Sequence, residues 1–456
     1  MAIMPSATSS QVPVSRDAIT AEWLTHALRS TGTIAAESRV TACEQQPIVA
    51  FTLSGETRQD GGGLSGPQIV RLKLAYEGGT GPEQMVVKFG NWFDKQQMPA
   101  WPWKTRLIQA IGNLRLEDQF RSEIKFFQDI WPHINGVLLP KVYYAAIADT
   151  PNVKTWSYVL FDKRTRLRFC VLMEDLAVHQ FAPVRPGEGL SFNRAKRALL
   201  NIAQLHAFGW NQPELWERLQ LRPTPWLTFL RADEGQQRKQ RDKFVHTDFI
   251  PTFLKLWAQH PRQGDHAHGF SMLRGPEMAA MLSAFNASFA TWAADAAKTP
   301  REAAQTIAHG DFHGWNHLFN PADECRVVDF QFLGRGRVAD ELAYFFMASF
   351  DPEPAAEAEL LELYHTALVE AGVQGYAYEQ FLHEYYVSTL TLLLGSIVRA
   401  VKFLKPGQYD KLGLDQKQAD LMQVGDLMRD RMMTRALDWY QTPHLRQRFF
   451  SRRETA

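Results

Sequence analysis

The sequence predicts an α+β chain, β-rich in its first part and mainly helical beyond. Three observations carry that expectation. Between residues 38 and 90 the apolar residues come in short runs bounded by turn formers, the pattern of strands. From Arg194 onward they recur at helical spacing over long stretches. The chain has 456 residues, 45% of them hydrophobic, enough to fill two sizeable cores.

Charge and cysteine usage narrow the class. Fifty Lys and Arg against 49 Asp and Glu leave a net charge of +1, with no overall pull toward nucleic acid. Cys43, Cys170 and Cys325 lie far apart without metal-like spacing, as expected of reduced thiols in a cytoplasmic protein. Residues 1–14 are small and polar and do not resemble a secretory signal. The run 385–398 is short for a bilayer, bracketed by Glu384 and Arg399, and reads as a buried helix, so no transmembrane segment is expected.

In order along the chain, residues 15–30 place Ile19, Trp23, Leu24, Ala27 and Leu28 at helical spacing after Thr20, a good N-cap. Strand-like runs follow, interrupted by Asp60-Gly61-Gly62-Gly63-Leu64-Ser65-Gly66. A hairpin of this kind either lets the N–H groups near Gly62, Gly63 and Ser65 approach phosphates or is a flexible surface turn. In Met85-Val86-Val87-Lys88-Phe89 a lone lysine sits in an apolar strand, which calls for an anion at its ammonium. The amphipathic stretch 114–131 offers Glu123 as its carboxylate partner, with Glu117 as a rival. The aromatic segment 91–104 is a lid or a packed loop, and Cys170-Val171-Leu172-Met173-Glu174-Asp175-Leu176 is an apolar strand entering the helical region.

The chemistry concentrates in His309-Gly310-Asp311-Phe312-His313-Gly314-Trp315-Asn316 and the following Val327-Val328-Asp329-Phe330-Gln331. An Asp, an Asn five residues on, and an Asp after an apolar strand is how kinases place their phosphoryl-transfer groups. Asp311 would stand beside the nucleophile, with Asn316 and Asp329 as ligands of Mg²⁺. His260, His266 and His268 lie in a polar loop without a second ligand pair and do not make a metal site.

His-Gly-Asp-x-His-x-x-Asn followed by Asp-Phe-Gln resembles the aminoglycoside phosphotransferase and choline kinase superfamily. Other segments are most similar to its ecdysteroid-kinase-like branch: the Ile-Thr-x-x-Trp-Leu opening, the helix around Glu123 (with Phe127 where Tyr is usual), and the Leu-His-Ala segment holding His206, itself read as a core histidine. The branch's Asp-Leu-Ala-Tyr helix corresponds to residues 336–346. There two acids precede Leu342, so the carboxylate bracing the catalytic loop is Asp340 or Glu341; His309 and His313 are read as loop-shaping.

This resemblance implies a bilobal, protein-kinase-like α+β fold, with a small β-rich N-lobe carrying one helix and a large helical C-lobe. Residues 1–36 would be a helical extension, 37–173 the N-lobe, 174–177 the hinge, and 178–456 the C-lobe with the catalytic loop and substrate pocket. It implies ATP and Mg²⁺ as cofactors, with Lys88 and Glu123 on the phosphate side and the backbone of Glu174 and Leu176 at the adenine. The acceptor implied is a small-molecule alcohol, neutral or partly apolar, since the chain ends basic and the later helices offer Tyr385, Tyr386 and leucines. The alternatives are a nucleotide-binding pseudokinase serving as a partner-binding module, or an aminoglycoside- or choline-type kinase. A protein kinase would carry an Ala-Pro-Glu segment after Asp329, which is missing. The basic tail 446–453 is expected to fray, with weak contact to an anionic surface as its other role.

Overall fold

In the strand Gln68–Glu77 the burial alternates, with Val70, Leu72 and Leu74 inside and Lys73 and Ala75 outside, so its period of two defines a single core face. It lies second in a five-stranded antiparallel sheet ordered Arg39–Pro47, Gln68–Glu77, Gln84–Asn91, Leu167–Glu174, Val142–Asp149. The helix Ala21–Ser30 begins where the Thr20 side chain accepts the N–H of Trp23 at 3.1 Å, the cap expected from sequence. Its Leu24, Ala27 and Leu28 share a core with Val70, Leu72, Met85 and Leu172. The structure, a computed structural model, describes residues 12–13, 15–48, 50–51, 57–58, 68–91, 120–134, 139–149, 167–185, 187–224, 249–259, 276–298, 305–403 and 416–451.

Two compact units result, one comprising Met1–Pro183 with Leu318–Leu333 and the other Val184–His317 with Gly334–Ala456. The first is built on the sheet and the second is mainly helical, the α+β division expected from sequence. Within the first, the helical stretch before residue 126 passes into a π-helical turn, Phe126–Ile130, and then a 3₁₀ turn, Trp131–His133. Phe126 stacks on Phe330 with centroids 3.8 Å apart, fixing the segment after Asp329 against the turn after Glu123.

In the second unit the helix Val338–Ser349 is buried along nearly its whole length. Ser388 donates to Asp340 near its start, and at its end Arg431 donates to the Ala348 carbonyl (2.6 Å), to Asp351 (2.7 Å) and to the Gly187 carbonyl (3.2 Å). The strand Gln305–Ala308 pairs antiparallel with Gly334–Arg337, which leads into that helix. The helix Phe192–Phe208 packs so closely on this strand that a Cβ at Gly209 would lie 2.5 Å from the Ile307 nitrogen.

Two expectations are corrected here. Tyr385 and the leucines after it, buried as the run 385–398 was expected to be, do not bear on the acceptor as was also suggested: Tyr385 bonds Glu357 at 2.6 Å, and Leu390, Leu393 and Leu394 are core residues. The helix Tyr378–Phe403 is long and apolar enough to cross a membrane by composition, but most of the qualifying stretch is buried within its unit. As far as Ser451 the basic tail does not fray. Pro443–Phe449 is a helix whose Leu445 and Phe449, with Phe450 after it, are buried, because its apolar residues return to one face.

Gly209→Ala is expected to cost about 1–3 kcal/mol, since the atom it would strike is backbone and cannot swing aside. Urea unfolding monitored by far-UV circular dichroism measures this, and an unchanged midpoint would show that the helix and strand separate freely.

Candidate active site

Lys88 lies on the strand Gln84–Asn91, opposite Ile69 on one side and Val171 on the other. It is buried, and its ammonium donates to Glu123 Oε1 and to Asp329 Oδ1, each at 2.8 Å. Burial works to lower its pKa, but Asp329 and then Glu123 outweigh that and hold it above the ordinary lysine range. An ammonium has three donors, so among the described residues one N–H remains for a further acceptor. Glu123 Oε2 is buried and has no partner among the described residues. Of the two glutamates weighed from sequence, Glu123 is the partner; Glu117 lies outside the described residues. Asp329 adopts a left-handed backbone (φ 69°, ψ 62°), a local strain of about 1–2 kcal/mol that the surrounding packing holds in place.

In the second unit, the loop after Gln305–Ala308 turns at Gly310, whose φ of +81° suits glycine. Glu341 settles the choice between the two helix-start acids. Its carboxylate accepts the N–H groups of His309 (3.1 Å) and Gly310 (2.6 Å), while Asp340 is bonded to Ser388 instead. Glu341 also accepts from His206 Nε2 at 2.7 Å, and the other ring nitrogen of His206 pairs with the Tyr364 hydroxyl at 2.6 Å. His206 is thus the buried, satisfied histidine the sequence suggested. Burial works to raise the Glu341 pKa, but the bond to His206 and the Gly310 N–H prevail and hold it below the usual carboxylate range.

Asp311 and Asn316 come together on this loop. Asn316 Nδ2 donates to the Asp311 carbonyl at 2.9 Å and lies 3.5 Å from Asp311 Oδ2. His313 Nε2 is 3.4 Å from the same oxygen, and the Tyr344 hydroxyl donates to Oδ1 at 3.1 Å. Burial alone would raise the Asp311 pKa, but His313, His309 and the Tyr344 bond hold it below the ordinary range, so the group is ionised at neutral pH. Sequence reasoning missed Tyr344, and it read His313 only as a loop residue. Gly314 N–H donates to Ser349 Oγ at 2.6 Å, a second anchor from the Val338–Ser349 helix that was also missed.

Glu174 closes its strand, and its N–H is taken by the Lys141 carbonyl at 2.8 Å, leaving only its carbonyl for the adenine role suggested by resemblance. Leu176 opens the 3₁₀ turn Leu176–His179, capped by Asp175, so its own N–H belongs to the first turn, where intrahelical partners are lacking. A cavity of about 510 Å³ lies at this connection, lined by residues including Glu174, Leu176, Phe181 and Arg326. Gly62, Gly63 and Ser65 lie outside the described residues, as do residues 92–104 of the segment weighed as a lid.

Among the described residues no three His, Cys, Asp or Glu side chains form a metal cluster. Asn316 and Asp329, each in its own unit, carry side-chain oxygens of the kind a hard cation takes. Among the described residues Asp329 uses one oxygen on Lys88 and has the other left over, and Asn316 uses its NH₂ on Asp311, leaving its amide oxygen.

The sequence model of the ecdysteroid kinase-like family matches residues 108–374, more than half of the chain. Among solved structures, a spectinomycin phosphotransferase in complex with ADP and spectinomycin is 10% identical, covering 92% of this chain and 98% of its own, with a TM-score of 0.40. An apo macrolide 2′-phosphotransferase from Brachybacterium faecium is 13% identical, covering 88% and 97%, with a TM-score of 0.37. A choline kinase from Streptococcus pneumoniae is 13% identical, covering 88% and 94%, with a TM-score of 0.33. No curated protein matches the sequence.

Because the Glu341 pKa is depressed in the folded chain, its stabilisation is fully present above the ordinary value of 4.5 and is lost as pH falls through the lower folded value. Glu341→Gln is therefore expected to melt lower than wild type at pH 7 and to lose less on acidification to about pH 4. Thermal melts across that range test it, and parallel acid slopes for the two proteins would count against the clamp.

Proposed function

Since the chain belongs to the ecdysteroid kinase-like family, we propose that it is an ATP- and Mg²⁺-dependent small-molecule kinase that phosphorylates an alcohol. The observation that carries this reading is the buried Lys88 ammonium, bonded to Glu123 and Asp329 with one donor unspent. A buried ion pair is a weak source of stability, so its retention is better explained by an anionic ligand than by the fold. Phosphate oxygens of ATP are suited to that donor.

Asp311 would orient the acceptor hydroxyl. As the acceptor oxygen bonds to the γ-phosphorus, the bond from that phosphorus to the β–γ bridging oxygen breaks, ADP leaves, and the hydroxyl proton passes late to Asp311. Asn316 and Asp329 would hold Mg²⁺, which supplies charge neutralisation at the transferring phosphoryl group. The acceptor we propose is a neutral, partly apolar alcohol, the class suggested by the family's ecdysteroid description. With Tyr385 and its leucines in the core, the acceptor class rests on the family rather than on those residues.

The test is incubation with labelled ATP and a panel of sterols, simple alcohols, aminoglycosides and choline, with mass detection of added phosphate. Nucleotide binding without transfer to any acceptor would favour a pseudokinase. Asp311→Asn is expected to lower kcat by about 10²–10⁴-fold with ATP affinity retained; near-wild-type turnover would refute its role. Asp329→Ala should weaken nucleotide binding in titrations containing Mg²⁺ and much less in its absence, whereas an equal effect under both conditions would remove the metal assignment.

A further inference from the structure

Glu341, Tyr344 and Ser349 lie on one face of the Val338–Ser349 helix, at i, i+3 and i+8. Each bonds the loop that carries Asp311. Glu341 takes the N–H groups of His309 and Gly310, Ser349 takes that of Gly314, and Tyr344 alone reaches the carboxylate. An aspartate carboxylate turns easily about its terminal torsion, so without a directional bond its two oxygens exchange places. Its other neighbours among the described residues hold Oδ2 at longer range. His313 Nε2 at 3.4 Å and Asn316 Nδ2 at 3.5 Å are at the limit of hydrogen bonding, and the short bond of Asn316 goes to the Asp311 backbone.

We infer that Tyr344 is a positioning residue for phosphoryl transfer, donating its hydroxyl hydrogen to Asp311 Oδ1 so that Oδ2 is presented to the acceptor hydroxyl. The inference rests on the phosphoryl-transfer reading above. Tyr344 acts on the acceptor only through Asp311, and its loss touches the chemical step rather than nucleotide binding. A tyrosine is suited to this place because its rigid ring carries the donor beyond the helix surface, while its neighbours Phe345 and Phe346 fill the core.

The experiment is Tyr344→Phe, which removes one oxygen and keeps the ring. The expected result is a kcat lowered about tenfold or more, with the KM for ATP and the melting temperature unchanged. The double variant Asp311→Asn with Tyr344→Phe is expected to turn over no more slowly than Asp311→Asn alone, since the hydroxyl has nothing left to orient. Wild-type kcat in Tyr344→Phe, or losses that multiply in the double variant, would overturn the inference. Should the wild-type chain transfer phosphate to no acceptor, the functional reading falls, and crystal structures of wild type and Tyr344→Phe then decide the inference. A single Asp311 rotamer in wild type that becomes rotated or multiple in the variant supports it; the same single rotamer in both overturns it.

Discussion

The buried Lys88 ammonium is the constraint around which the first unit's charged groups are placed. Its two carboxylates come from positions 35 and 241 residues away in the chain, so a strand, a helical turn and a distant hairpin must all be placed before the charge is matched. Removing one carboxylate would leave the buried ammonium undermatched, which is costlier than replacing the whole group with apolar side chains. The surrounding features serve that placement. The Phe126–Phe330 stack joins the segments that carry Glu123 and Asp329, and the π-helical turn sets Phe126 and Phe127 against Phe330.

The second unit solves a different problem, holding a loop still without burying a strand there. Three backbone N–H groups of that loop, at His309, Gly310 and Gly314, are satisfied by side chains from one helix. A charged acceptor gives stronger bonds than a neutral one, and Glu341 serves two of the three while itself being fixed by His206 and, through it, Tyr364. The order of support therefore runs from Tyr364 through His206 and Glu341 to the turn at Gly310, immediately before Asp311.

Much of this was legible in the sequence, and the parts that were not share a cause. Lys88 stood out because an ammonium interrupts an otherwise apolar strand, and Asp311, Asn316 and Asp329 because their spacing is local. The choice between Asp340 and Glu341 was closed to sequence, since adjacent helical positions point about 100° apart and only the neighbouring loop decides which one is used. Tyr344 reads as the first member of an aromatic run, yet its hydroxyl meets a carboxylate 33 residues upstream. Tyr385 was counted toward an apolar acceptor side, but it lies in the core with its hydroxyl donating to Glu357, 28 residues earlier. In each case the deciding partner lies tens of residues away, where local spacing carries no information. The tail failed on composition, because four arginines in 446–453 drew attention from Leu445, Phe449 and Phe450, the apolar residues that dock it.

The position of the Val338–Ser349 helix then becomes the variable that matters for chemistry. Because Glu341, Tyr344 and Ser349 all project from it, any displacement of the helix moves the loop backbone and the Asp311 carboxylate together rather than distorting one against the other. The helix is pinned near its start by Ser388, on a second helix, and at its end by Arg431, on a third, whose guanidinium donates to the buried last-turn carbonyl of Ala348 as a basic residue does at a helix C-terminus. An arginine buried this deeply with three acceptors is costly to place and gives little net stability by itself. Its contribution is geometric. In the proposed transfer, where a misplacement near 1 Å costs about a hundredfold in rate, a residue outside the loop that fixes where the helix ends would bear on turnover as residues within the loop do.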